Sequence, residues 1–248
     1  MMSKKRLFYF LFPLLGIAGF FLRAVQMRFG FEPATGLAVI GFPPGIMLLL
    51  LAAVLFFAAF FFVRMLPAFP DPPDFPERRS TSAAVIHFAA AGLTALMGIL
   101  LLVSGLHGSR LDLLLGLVSV LTALYLLLIS HAGKKLRAFC LIENTLFYVA
   151  WLVVLFSRHA SDPVLMGFWP PLLALCAAVF GFYLLACAAC GLYKPRRCLF
   201  SLLLGGSLCL IAAADGCSFS AAPYFCGFLA AALMQFFYAY KLLLTVLK

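Results

Sequence analysis

The most regular feature of the sequence is a succession of long apolar runs separated by short segments with polar residues or proline. Eight runs are long enough to cross a bilayer, whose hydrocarbon core requires about 20 apolar residues in a helix. They cover residues 7–25, 37–63, 83–105, 111–130, 139–156, 164–192, 198–214 and 222–247. Because the runs are continuous and do not alternate with polar residues, the pattern predicts transmembrane helices and not transmembrane strands.

The composition excludes a water-soluble protein. Of the 248 residues, 66% are hydrophobic and 10% are charged, whereas about 25% of the residues in an average soluble domain are charged. So few charges cannot cover the surface of a soluble fold of this size. The abundance of leucine, alanine and phenylalanine also excludes a disordered chain. We therefore expect an all-α, polytopic helix bundle that contacts the lipid bilayer.

The basic residues predict how the helices are oriented. If the N-terminus is cytoplasmic, 14 of the 18 lysines and arginines lie in inner segments, and the outer ones are Arg23, Arg28, Arg110 and Arg158. This bias predicts a multi-pass protein of the cell membrane with eight spans and both termini in the cytoplasm. No convincing cleavage site follows the basic start of the chain, so we expect an uncleaved first helix and no signal peptide.

The connecting segments are too short to hold an extramembrane domain. The longest, residues 66–82, contains five prolines and three acidic residues, which favours a stiff, extended linker. A soluble catalytic or nucleotide-binding module is therefore expected only from a partner protein. The net charge of +10 comes from clusters beside apolar runs. No basic stripe with interleaved aromatic residues is present, and nucleic acid is not an expected partner.

The two halves of the chain, residues 1–130 and 131–248, carry similar cues in the same order. Each half has a proline pair near the start of a span, Pro43-Pro44 and Pro170-Pro171, then an Ala-Ala-Val sequence and an inner Arg-Arg pair. One explanation is a duplication of four helices within a single membrane domain. Its repeats would be parallel and related by an axis along the membrane normal. The alternative is a chance alignment of apolar helices.

The proline pairs have two interpretations of their own. Proline lacks a backbone donor and fits the first turn of a helix, so Pro43, Pro44, Pro170 and Pro171 are expected to mark helix starts. Alternatively, each pair marks a short unwound segment that lines an outward cavity. Irregular backbone is tolerated in a membrane only where protein or water covers it.

A small set of polar residues lies within the predicted spans on the inner side. We expect them to form a cluster in the cytoplasmic third of the bundle: Glu143, Asn144, Lys241, Gln235, His87 and His131. Intramembrane ionisable residues are costly and usually have a function or a partner. Glu143 paired with Lys241 or a histidine would form a proton-titratable site for coupled transport. The alternatives are a structural ion pair and a glutamate at the headgroup level.

The outer charges are expected to be solvated at the membrane interface. The acidic residues Glu32, Asp112, Asp162 and Asp215 balance the four outer arginines in number. This balance gives no strong field for steering ions of one sign.

The cysteines and histidines predict no metal site or other cofactor. Cys187 and Cys190 have the spacing of a redox or metal pair, but no second cysteine or histidine pair accompanies them, so we interpret them as packing residues. Cys217 and Cys226 flank the last outer segment. They would form a disulfide if both faced an oxidising exterior.

Three functions are compatible with these patterns. The first is a transporter or permease component for a small solute, supported by the repeat, the proline pairs and the inner polar cluster. The second is a non-enzymatic membrane subunit that docks a partner protein through its basic inner segments and the proline-rich segment, with a homo-oligomer as the alternative to a protein partner. The third is a membrane-embedded lipid-modifying enzyme, which ranks last because the sequence offers no nucleophile and base in a recognisable arrangement.

Overall fold

The structure is a computed structural model that describes residues 2–32, 37, 39, 41–67, 81–106, 109–159, 165–192, 194–217 and 221–247. These ranges form eight long helices and no β-strand. The helices are α1 (Met2–Phe29), α2 (Pro43–Arg64), α3 (Thr81–Gly105), α4 (Arg110–Ile129), α5 (Lys134–His159), α6 (Leu165–Ala189), α7 (Pro195–Ala213) and α8 (Ala222–Leu247). Each helix contains an apolar stretch long enough to cross a membrane. The prediction of an all-α, multi-pass membrane protein is confirmed.

Successive helices run antiparallel, so both ends of the chain lie at one face of the bundle. Phe8, near the start of α1, stacks on Phe62 at the end of α2, with ring centroids 5.0 Å apart. We call this face, where α1 begins and α8 ends, the terminal face. We call the other face of the bundle the opposite face. There, Arg23 of α1 contacts Asp215 in the 3-10 turn Ala214–Cys217 that follows α7. The cytoplasmic location of the terminal face stays a prediction.

Six of the helices form a closed group. Helices α3 to α8 pack in chain order, and α8 packs back against α3, whereas α1 and α2 lie outside this group against α7. Within their most apolar stretches, 78% of the residues of α7 are buried, compared with 28% in α1 and in α2. This arrangement does not confirm a four-plus-four repeat. The boundary at residue 130 stays a prediction, and α4 and α5 pack together across it.

Small residues determine the closest helix contacts. A Cβ atom added at Gly98 of α3 would lie 3.0 Å from the carbonyl oxygen of Gly116 in α4, and the reciprocal distance is also 3.0 Å. The backbones of α3 and α4 are therefore in contact at this crossing. Such approaches are typical of membrane helices, whose association depends on close packing because lipid supplies no hydrophobic driving force between them.

The two proline pairs occupy different positions in their helices. Pro43 and Pro44 are the first residues of α2, where the missing backbone donors would be unsatisfied in any case. Pro170 and Pro171 lie inside α6, which begins at Leu165 and continues through them. The first pair is thus a helix start, whereas the second pair lies within a continuous helix.

Candidate functional site

Helix α5 presents a stripe of polar and aromatic side chains to the interior of the closed group. Its members recur every three or four residues, which places them on one helix face. The stripe consists of the buried residues Arg137, Cys140, Asn144, Tyr148 and Trp151, and it ends at Arg158 near the opposite face. One face of α5 therefore offers groups that hydrogen-bond or stack along most of the membrane thickness.

Asn144 lies at the centre of the α5 stripe and has no hydrogen-bond partner. Asn144 is only 1% exposed, and neither its Oδ1 nor its Nδ2 makes a hydrogen bond. An amide carries one acceptor and two donor hydrogens, and such groups are almost always satisfied when they are buried. An unsatisfied amide of this kind costs about 1–3 kcal/mol. Asn144 is therefore a buried polar side chain in the middle of the bundle whose hydrogen-bonding groups are unsatisfied.

An aromatic column lies between Asn144 and the opposite face. Trp151 stacks on Tyr224 of α8, with centroids 5.9 Å apart and rings 20° from parallel, and its centroid lies 4.6 Å from that of Phe228. One turn deeper, Tyr148 stacks on Phe182 of α6 at 4.8 Å and 13°. These rings fill the interior of the closed group above the asparagine.

Arg158 closes the same end of the bundle through an ion pair. Its Nη2 lies 2.5 Å from Oδ1 of Asp112 on α4, and its Nη1 donates a hydrogen bond to the hydroxyl of Tyr224. Beside these groups is a cavity of ≈ 60 Å³, lined by Trp151, Val154, Leu155, Arg158 and Tyr224.

The expectation that the outer charges are solvated is wrong for Arg23. This residue is 0% exposed, and its Nε lies 2.6 Å from Oδ1 of Asp215. Its Nη1 donates to Oε1 of Gln26 at 2.8 Å, and its Nη2 donates to the carbonyl oxygen of Gly167 in α6. Arg23 therefore ties α1 to α6 and to the turn after α7. Glu32 is exposed, whereas Asp162 lies outside the described residues.

At the terminal end of the stripe, a polar group joins α3, α5 and α8. The Nε2 atom of His87 lies 2.8 Å from the hydroxyl of Tyr238. Arg137 interacts electrostatically with both side chains and is only 7% exposed. Arg137 is one of the 14 basic residues that the charge pattern assigns to inner segments, but it is buried in the first turn of α5 and belongs to this polar group.

Glu143 lies beside the stripe, on the flank of α5 that faces α4. Its Oε1 is 2.8 Å from the hydroxyl oxygen of Thr122, and its Oε2 is buried without a hydrogen-bond partner. Lys241 instead lies over the ring of Phe237, with Nζ 5.7 Å from the centroid. The structure thus places the glutamate against a hydroxyl group and forms no Glu143–Lys241 ion pair among the described side chains.

The remaining members of the expected polar cluster lie apart from these groups. Gln235 is buried between α6 and α7, where its Nε2 donates to the carbonyl oxygen of Ala178 at 3.4 Å. His131 is exposed in the connection between α4 and α5. The cluster therefore divides into the His87 group, the Glu143–Thr122 contact and an isolated glutamine. The sequence analysis does not include Tyr148, Trp151 and Arg158 in the site, although their helical spacing along α5 is visible in the sequence.

The structure holds all eight cysteines as free thiols. Cys217 is exposed whereas Cys226 is buried, and no disulfide joins them. Cys187 and Cys190 are likewise unbridged. Within the described part of the chain, no group of three or more histidine, cysteine, aspartate or glutamate side chains is placed to hold a metal ion.

Comparison with known proteins adds no relative from which a function could be inferred. No protein-family model, no curated protein and no solved structure matches this chain.

Proposed function

We propose that the protein is a transporter, or the permease component of one, that carries a small solute through the interior of helices α3 to α8. The observation that carries this proposal is Asn144, a buried amide without a partner in the middle of the bundle. In a protein whose only task is to hold its helices together, an apolar residue at this position would be more stable. A polar ligand that reaches the interior would satisfy the amide.

The groups at the two ends of the stripe support this proposal. On one side, the aromatic column and the Arg158–Asp112 ion pair close the route to the opposite face. On the other side, the His87–Tyr238 contact and Arg137 lie between Asn144 and the terminal face. A site enclosed between two polar closures is the arrangement required for alternating access, in which one closure opens while the other stays shut.

The interior favours a small solute that has both polar and apolar parts. The amide of Asn144 would orient the polar part, and the stacked rings of Tyr148 and Trp151 would contact the apolar part. Binding sites of this mixed character use a few polar groups to fix the orientation of a ligand against an apolar wall.

Substitution of Asn144 by leucine tests the proposal. We expect N144L to raise the melting temperature, because leucine is similar in size to asparagine and lacks the unsatisfied buried amide. We also expect N144L to abolish solute uptake by proteoliposomes. The probe is a defined panel of radiolabelled amino acids, sugars and nucleosides, with empty liposomes as the blank. A variant with higher stability and undiminished uptake would make Asn144 irrelevant to transport. A lower melting temperature would show that the amide is structural.

A second candidate, a membrane subunit that binds a partner protein or a second copy of the chain, is favoured by the position of α2. This helix lies at the edge of the bundle and exposes Phe56, Phe57, Phe60 and Phe61. Native mass spectrometry of the purified protein would separate the candidates. A stable complex that survives replacement of these phenylalanines by leucine would exclude this face as the interface.

A further inference from the structure

The hydroxyl group of Thr122 makes two short polar contacts. Its oxygen lies 2.9 Å from the carbonyl oxygen of Val118, one turn earlier in α4, and 2.8 Å from Oε1 of Glu143 in α5. A threonine hydroxyl carries a single hydrogen, and a backbone carbonyl oxygen only accepts. Two full hydrogen bonds at this oxygen therefore require a second proton.

Only Glu143 can supply that proton. The hydrogen of Thr122 then points to the carbonyl oxygen of Val118, and the carboxyl O–H of Glu143 donates to the Thr122 oxygen. Both separations lie in the usual range for an O–H···O hydrogen bond, roughly 2.5–3.0 Å. If Glu143 were a carboxylate, the one threonine hydrogen would be shared between two acceptors.

Ser207 shows the geometry expected for a shared hydrogen. Its hydroxyl contacts two carbonyl oxygens, that of Leu203 at 2.9 Å and that of Phe12 at 3.2 Å. The second contact is longer, as expected when two acceptors compete for one donor. At Thr122, both contacts are short.

The surroundings of Glu143 also favour its neutral form. It is nine residues from the first residue of α5, which places it about 13 Å along a helix with a rise of ~1.5 Å per residue. It is one of three acidic residues in the eight membrane-compatible segments, and Asp112 and Asp215 are each paired with an arginine. Glu143 has no cation within ion-pair distance among the described residues, and an uncompensated charge at such a depth is very costly.

We propose that Glu143 is a proton-binding site, occupied by a proton in this conformation and held through a hydrogen bond to Thr122. The proton is the ligand, and the carboxyl group is its carrier at the seam between α4 and α5. This inference concerns the protonation of one side chain and does not depend on the transport of a solute.

The titratable and charged groups around Glu143 have contacts of their own. From α5, Cys140 lies one turn away and is the titratable neighbour that interacts with it. On α4, Tyr125 follows Thr122 by three residues, and its ring packs edge-on against Phe139. Arg137 interacts with His87 and Tyr238, and Lys241 lies over Phe237 of α8.

Dicyclohexylcarbodiimide, an apolar reagent that modifies protonated carboxyl groups, tests the proposal on the full chain in liposomes. Peptide mapping should find the adduct at Glu143, and labelling should fall as the pH is raised. Asp112 and Asp215 are internal controls that should be labelled less than Glu143, because the side chain of each lies in contact with an arginine. We expect T122V, which removes the hydrogen-bond acceptor, to change the pH dependence of labelling at Glu143.

Infrared difference spectroscopy of wild type against E143Q supplies a measurement that does not depend on access of the reagent. A carbonyl stretch of a protonated carboxyl at neutral pH, absent from E143Q, supports the proposal. A carboxylate band assigned to Glu143, or equal labelling of all three acidic residues, overturns it. Solute uptake that persists with an ionised Glu143 would refute the proton site alone, and a protonated Glu143 without uptake would refute transport alone.

Discussion

Arg23 donates a hydrogen bond to the carbonyl oxygen of Gly167, the acceptor that Pro171 leaves without its usual helical donor. In an α-helix, this carbonyl would accept from the backbone N–H four residues later, and proline has none. A side chain from the first helix thus compensates for a defect in the sixth. The same guanidinium pairs with Asp215, so one buried residue joins three segments at the opposite face.

We expect R23M to destabilise the protein severely. The substitution leaves Asp215 with an uncompensated buried charge and the carbonyl of Gly167 without a donor. Loss of one partner from a buried pair costs about 3–5 kcal/mol, and the measurement is thermal unfolding in detergent. The matched control is R28M, because Arg28 is exposed on the same helix and lies over Phe29. Equal losses in both variants would show that burial of Arg23 contributes nothing specific.

Replacement of Pro171 by alanine should make Arg23 less important. An alanine at this position restores a backbone N–H four residues after Gly167, so the carbonyl no longer depends on the guanidinium. In a double-mutant cycle, we expect R23M to cost about 1.5 kcal/mol less in the P171A background, the lower value for a hydrogen bond to a charged group. Strict additivity of the two substitutions would contradict the compensation described above.

The crossing of α3 and α4 gives a test of backbone packing. G98A would place a methyl group 3.0 Å from the carbonyl oxygen of Gly116 and 2.8 Å from the Val120 side chain, so the helices must separate. We expect a loss of about 1–3 kcal/mol, the usual cost of overpacking. Gly92 is the control in the same helix, since an added Cβ there meets nothing within 4 Å. G92A should leave the melting temperature unchanged or raise it, because alanine is the better helix former.

The sequence predicts the helices because the bilayer imposes one requirement on all of them, an apolar run of sufficient length. The sequence does not predict which side chains become partners. Arg23 and Asp215 are 192 residues apart in the chain, and only the packing of α1 beside α7 makes them neighbours. The buried position of α7 had a readable signal in its small residues Ser201, Gly205, Gly206 and Ser207, which are typical of helix contacts in membranes.

Part of the candidate site could be predicted from the sequence. Glu143 and Asn144 were identified because polar residues are rare in apolar spans. Their roles depend on which side of α5 each occupies, and adjacent residues on a helix point about 100° apart. The spacing from Arg137 through Asn144 and Trp151 to Arg158 predicts one common face. Glu143 falls outside that face, where it meets Thr122 and not Lys241.

The natural cysteines allow a direct test of orientation. Cys190 is exposed at the terminal face, beside the connection between α6 and α7, and Cys217 is exposed at the opposite face. If the basic segments are cytoplasmic, a membrane-impermeant maleimide should label Cys217 in intact cells and Cys190 only after permeabilisation. C217S and C190S identify each signal by its loss. Labelling of Cys190 in intact cells, with Cys217 protected, would place both termini outside and show that the charge bias misleads in this protein.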